Sequence, residues 1–404
     1  LGDSAIGLTT DGLDALTATN ISGITTKAIS LLSSDQVAAL GADAAALGSD
    51  DLAAMTSVNI YGLTTDAVQA LYSEQVAALG EDAAALGTDA LVALTSANIR
   101  GLATAAAAVL SSDQVAALGA DAAKLTSAAL DALTTDNISG LDTEAVAGLG
   151  SDQVAALGAD AAAFGTAQLD ALTSANIRGL TTDVADALSS EQVAALGSDA
   201  SGMTSAALAA LNSTNITGLT SGAMAALRSD QVAALGEDAA ALGTEALDAL
   251  TSENIRGMSS DATAAMSSEQ VAALDTDARG LGTAGLAGLT TVNVNGLTTA
   301  ALAAMSSAQV SALGADAYAL DTGDLAALTS ANIVGLTTAT VAALGSDQMV
   351  ALGSDASAFG TGNLAALTTS NIKGLSTAAV AALTSAQVSA LGSDASALTT
   401  GQLA

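Results

Sequence analysis

Residues 32–70 read LSSDQVAA, LGADAAA, LGSDDLAA, MTSVNIYG and LTTDAVQA, five consecutive segments of 8, 7, 8, 8 and 8 residues. Each opens on Leu or Met and continues with Ser, Thr or Gly. The 8-residue segments usually carry Val, Ile or Leu at the sixth place, whereas the 7-residue one has Ala where the others have bulk. Ser or Thr at the second or third place is a preferred helix N-cap, and an acid just after it suits the positive helix N-terminus. The stretch that follows, as in Asp35-Gln36-Val37-Ala38-Ala39-Leu40, is rich in helix formers. Apolar residues fall three apart from Val37 to Leu40 and five apart from Leu40 to Ala45. Strand-like alternation is absent, and Ala is depleted in strands. Each segment therefore reads as one short helix and one corner.

The five-segment block recurs every 39 residues without an insertion. Gln marks it at Gln36, Gln75, Gln114, Gln153, Gln192, Gln231, Gln270, Gln309, Gln348 and Gln387. Asn marks it at Asn20, Asn59, Asn98, Asn137, Asn176, Asn215, Asn254, Asn293, Asn332 and Asn371, each followed three places later by Gly. Asp marks it at Asp43, Asp82, Asp121, Asp160, Asp199, Asp238, Asp277, Asp316, Asp355 and Asp394, two places after a Gly that only Asp275 replaces. A helix of about six residues is unstable alone, because nucleation costs more than so few bonds return. Such segments persist only by stacking, as in other repeat proteins.

The expected fold is all-α: a solenoid superhelix of short capped helices, five segments per 39-residue turn and about ten turns. Each helix would lie on its counterpart 39 residues later, with Leu and Val/Ile inward and the Ser/Thr corners outward. A β-helix-like solenoid is the alternative. Residues 1–404 read as a single continuous repeat array. Leu1 and Ala404 both fall in mid-pattern, so the array is expected to be a window of a longer chain or filament.

The Asn and Gln series occupy equivalent places, just before the inward Val or Ile. They read as structural ladders, each amide bonding backbone at a corner or in the next turn, because a buried amide must be satisfied; the alternative is a binding stripe. The Asp series reads as capping at the thin corner of the 7-residue segment. Its functional alternative is a column of calcium sites, although one carboxylate per turn is few for an ion that takes several oxygens. The place after the inward Ile varies, and Arg100, Arg178 and Arg256 stand there 78 residues apart. They mark either a lateral contact stripe or an exposed place free to drift.

Composition excludes several classes of function. The chain has no His, Cys, Pro or Trp, so the usual bases, nucleophiles and thiolate metal ligands are missing. Every carboxylate candidate is repeated, whereas a catalytic site is normally unique. No catalytic residues, no cofactor beyond the calcium alternative, and no enzyme activity are expected. With 41 acids against 8 bases the net charge is −33, which disfavours nucleic acid and anionic membranes. No apolar run approaches the roughly 18 residues a membrane span needs.

The unit LSSDQVAAL at residues 32–40 resembles repeats of very large bacterial surface proteins, often labelled adhesins and built from runs like LTTDQVAAL. The resemblance covers the whole sequence and implies an extracellular or cell-surface stalk or filament that self-associates. A lattice-binding module, with ice or glycan as the surface, and a surface-layer or sheath subunit are the alternatives.

Overall fold

The computed structural model describes residues 2–403, which fall into two compact units divided between Met203 and Thr204. Both follow one plan. In the first, a single period comprises a Gln helix (Ser73–Ala78), a thin 3-10 segment (Gly80–Ala85) and a middle helix (Thr88–Val92). An Asn segment, a 3-10 turn at Ile99–Gly101, and a closing helix (Thr104–Val109) complete it. In the second unit the corresponding elements are Ser229–Ala234, Gly236–Ala241, Thr244–Asp248, Ile255–Gly257 and Ser260–Ala265. Among the described residues the only β feature is an isolated bridge between Gly2 and Ile24. The architecture is thus an all-helical solenoid of short capped segments, three of them α and two 3-10 in each period.

The local geometry follows from the sequence. N-caps occupy the second place of a segment with extended backbone, as at Thr64 (φ −73°, ψ 159°) and Ser111 (φ −74°, ψ 163°), whose hydroxyls accept the N–H of Ala67 and Gln114. Two extended residues, such as Leu71 and Tyr72, make most corners. The corner after the Gln helix is different. Leu79 stays helical and Gly80 turns left-handed at φ 60°, so the chain changes direction with one residue fewer. That saving explains why this segment has seven residues and why its first place is Gly. Asp275, at the same place, is the one non-Gly described with positive φ, at 42°.

Inward residues are fully buried: Leu71, Val76, Leu79, Ala83, Leu86, Leu91, Leu94, Ile99 and Leu102 are all at most 4% exposed. With so few aromatics the core gains its contacts by close approach of small side chains. Phe164 and Phe359 take the place of the first Leu of the middle segment and are buried there.

The stacking period corrects the expected 39-residue turn. Within each unit a segment packs on the segment three before it and the segment three after it, not on its counterpart five on. From Ser73–Ala78 the successive neighbours are Ile99–Gly101, Gly119–Lys124, Thr143–Gly148, Thr166–Asp170 and Ser190–Ala195. In the second unit the corresponding column runs from Ser229–Ala234 through Ile255–Gly257, Asp275–Gly280, Thr299–Ala304 and Thr322–Ala327 to Ser346–Ala351. Every column therefore interleaves all five segment types in the order Gln helix, Asn segment, thin segment, closing helix, middle helix. The physical reason is that three short segments with two-residue corners already close a ring around touching Leu and Val side chains. Five would enclose a void that these small side chains cannot fill.

Candidate functional site

The recurrent amides join neighbouring segments of a column. Asn98 is 2% exposed. Its Oδ1 accepts the N–H of Thr95 at 2.8 Å, and its Nδ2 donates to the carbonyls of Val68 and Leu71, both at 3.0 Å. Asn59, Asn137, Asn176, Asn254, Asn293, Asn332 and Asn371 repeat this arrangement on carbonyls 27 and 30 residues earlier. Asn20 and Asn215 accept from Thr17 and Asn212 in the same way.

The Gln series donates to a different pair of carbonyls. Gln75 Oε1 accepts the N–H of the N-cap Tyr72 at 2.8 Å, while Nε2 donates to Ala45 O and Leu47 O at 2.8 and 2.9 Å. Gln36, Gln114, Gln153, Gln192, Gln270, Gln309, Gln348 and Gln387 donate to carbonyls 30 and 28 residues back. Gln231 accepts from Arg228 N. Because Oε1 receives the N-cap N–H, the N-cap side chain is free to vary: it is Tyr72, Gly150, Arg228 or Gly345 where other periods have Ser or Thr.

Three further amides with the same role, Gln168, Asn363 and Gln402, sit in the middle segment, where sequence reading did not single them out. Gln168 Nε2 donates to Leu141 O at 2.6 Å and Asn363 Nδ2 to Leu336 O at 2.8 Å. Their signal, a polar residue directly before the inward Leu, is diluted because other periods have Ala, Gly or Asp there. Asp324 holds this place in one period, as Asp51 does in another. Asp324 is 6% exposed, and burial, reinforced by the Asp321 carboxylate, pushes its pKa up to about 6 against the Asp321 N–H bond that lowers it.

The Asp series lies half-buried on the thin segments. Asp43, Asp199 and Asp316 accept the backbone N–H of Ala18, Ser174 and Thr291, each 25 residues earlier in the turn that opens an Asn segment. The carboxylate caps its neighbour in the column rather than its own helix, and the shorter Asp side chain suits that fixed reach. Asp82, Asp121, Asp160, Asp238, Asp277, Asp355 and Asp394 occupy the same half-buried place. Among the described residues no three His, Cys, Asp or Glu side chains gather at one point.

The remaining concavities are shallow clefts between segments. One of about 400 Å³ is lined by Tyr61, Asp35 and Asp89, and one of about 430 Å³ by Arg100 and Lys124. A third, of about 400 Å³, is lined by Arg228, Arg256 and Glu253. Two ion pairs occur among the described residues, Lys27–Asp3 at 2.9 Å and Arg228–Asp230 at 3.1 Å. The bonds from Thr25 and Lys27 hold Asp3 below the usual carboxylate range, and the Arg228 bond does the same for Asp230. No described helix is long and apolar enough to cross a membrane.

Comparison with curated proteins and with solved structures gave no match. A family model described as the ALTTAQ repeat matches residues 44–81, 83–120, 122–159, 161–198, 239–276, 317–354 and 357–393. Each match runs from one thin segment to the next, about one period, and together they cover well over half the chain. With the period, the capped segments and these seven matches in agreement, the chain belongs to the ALTTAQ repeat family.

Proposed function

We propose that this chain is a structural, non-enzymatic repeat array, part of an extracellular filament or adhesin stalk at a bacterial cell surface. The observation that supports this best is where the recurrent polar side chains go. The Asn and Gln amides described above, with Asp43, Asp199 and Asp316, bond segment to segment. A chain whose conserved-in-every-period polar groups bind itself is built to extend and hold. Adding a period adds five more intersegment contacts and no new site, so stability grows as a sum of neighbour terms. The charge of −33 keeps such chains dispersed and turns them away from nucleic acid.

Display of one flat array to ice or a glycan lattice is less well supported. Equivalent residues of successive periods are five segments apart while the column repeats every three, so identical corner residues fall on different sides. Arg100 and Arg178, ten segments apart, share no column for the same reason.

Electron microscopy of the native material tests the proposal. Continuous fibres joined end to end are expected. Discrete particles coating a crystal or glycan surface would overturn it.

A further inference from the structure

The cleft lined by Arg100 and Lys124 stands apart from the rest of this acidic surface. Only 8 of 404 residues are basic, against 41 acids, yet two of the eight line one cleft of about 430 Å³ that no carboxylate lines. The cleft beside Arg228 and Arg256 also has two bases, but Glu253 lines it and Asp230 pairs with Arg228. Neither Arg100 nor Lys124 has an ion-pair partner among the described residues. Their segments, Ile99–Gly101 and Gly119–Lys124, pack directly on one another, so the two charges are held together by the fold. Like charges on adjacent segments repel. At the place of Lys124 every other period has Ala or Gly, so nothing in the packing demands a base there. Arg178 occupies the place of Arg100 two periods on and has Gly202 opposite, which leaves it a lone cation.

Such a pair becomes favourable when an anion sits between its members. The Arg fork offers two parallel N–H donors that match a carboxylate or sulfate, and the Lys ammonium adds a point charge. The side chains of Thr126 and Ser127 supply hydroxyls at the same cleft. We propose that Arg100 and Lys124 form a binding site for one oxyanion, a carboxylate or sulfate group, free or carried by an acidic saccharide.

Calorimetric titration of the full chain with sodium sulfate and with trigalacturonate, at constant low ionic strength, tests this. Saturable binding is expected, weakened about tenfold by Arg100→Ala and by Lys124→Ala, since a hydrogen bond to a charged group is worth roughly one such factor. Arg178→Ala should leave it unchanged. Lys124→Ala copies the residue of most other periods, so loss of fold does not cloud the result. Tighter binding of trigalacturonate assigns the site to a saccharide-borne group, and binding of sulfate alone assigns it to a free oxyanion. Equal binding by the wild type and the Arg100/Lys124 double variant overturns the proposal, as does an equal loss on Arg178→Ala. Concentration-dependent self-association that the double variant abolishes, with no binding of either anion, would place the cations in a contact between copies and also overturn it.

Discussion

The two 3-10 segments of one period, Gly158–Ala163 and Ile177–Gly179, each depend on a glycine for opposite reasons. Gly158 has φ 55°, and a Cβ added there meets nothing within 4 Å. Its requirement is conformational: only the left-handed backbone makes the one-residue corner. At Gly179 a Cβ would lie 2.2 Å from the carbonyl oxygen of Ser151 and 2.7 Å from Val154 Cβ, on the Gln helix below. Its requirement is proximity, since the Asn segment sits against the backbone of its neighbour. The thin segment is therefore defined by how the chain enters it, and the Asn segment by what it packs on. A local constraint tolerates compromise, as Asp275 demonstrates, whereas the glycine that ends the Asn segment is never replaced from Gly23 to Gly374.

The strongest way to break this contrast is Gly179→Ala. Its Cβ has no flexible side chain to displace, so a loss of about 3 kcal/mol or more is expected, read by urea unfolding. Gly158→Ala should cost only about 1 kcal/mol in the same assay. Similar losses for both would show that the two glycines serve one purpose.

Next in size is Asn176→Ala. It removes the acceptor for Thr173 N–H and the donor to Val146 O and Leu149 O, leaving buried backbone groups unpaired. About 2–3 kcal/mol is expected, with faster amide exchange of Thr173. Asp199→Ala removes a half-exposed cap on Ser174 N–H and should cost about 0.5–1 kcal/mol. If it matched Asn176→Ala, the carboxylate would be as central to the column as the amide.

Asp324 compares an acid with an amide at one place. Asn363 donates to a carbonyl 27 residues earlier, which an ionised Asp324 cannot do. Its folded pKa of about 6 lies above the unfolded value of 3.8, so the folded state binds the proton more tightly. Its contribution to stability is then fully present below about pH 4 and is lost as the pH rises through about 6. Asp324→Asn should raise stability at pH 7 by roughly 1 kcal/mol and have little effect at pH 4, measured by thermal unfolding at both values. Smallest and opposite in sign, Asp275→Gly should stabilise by about 0.5–1 kcal/mol by relieving the left-handed backbone. No gain there would mean that the thin corner does not need its glycine.

Much of this molecule was legible in its residues. Segment boundaries, N-caps and inward positions are set within one or two turns of chain by Ser/Thr capping and helix propensity, and Ser111 and Leu118 stand where that logic puts them. The constant Gly after each Asn was visible as a pattern, but its cause, the Ser carbonyl of another segment, lies 28 residues away. The extra amides Gln168, Asn363 and Gln402 stayed hidden because only their position in the stack distinguishes them from surface residues.

By itself the sequence determined a helical solenoid of short capped segments, with a five-type order that recurs every 39 residues from Gln36 to Gln387 without a slip. Tertiary structure alone decided that segments stack three apart. All five types present Leu or Met, and most a further Val, Ile or Leu, in one register, so the hydrophobic pattern lets any segment lie on any other. Ring size is settled by the volume those side chains fill and by how sharply two extended residues turn the chain, both properties of the packed coil.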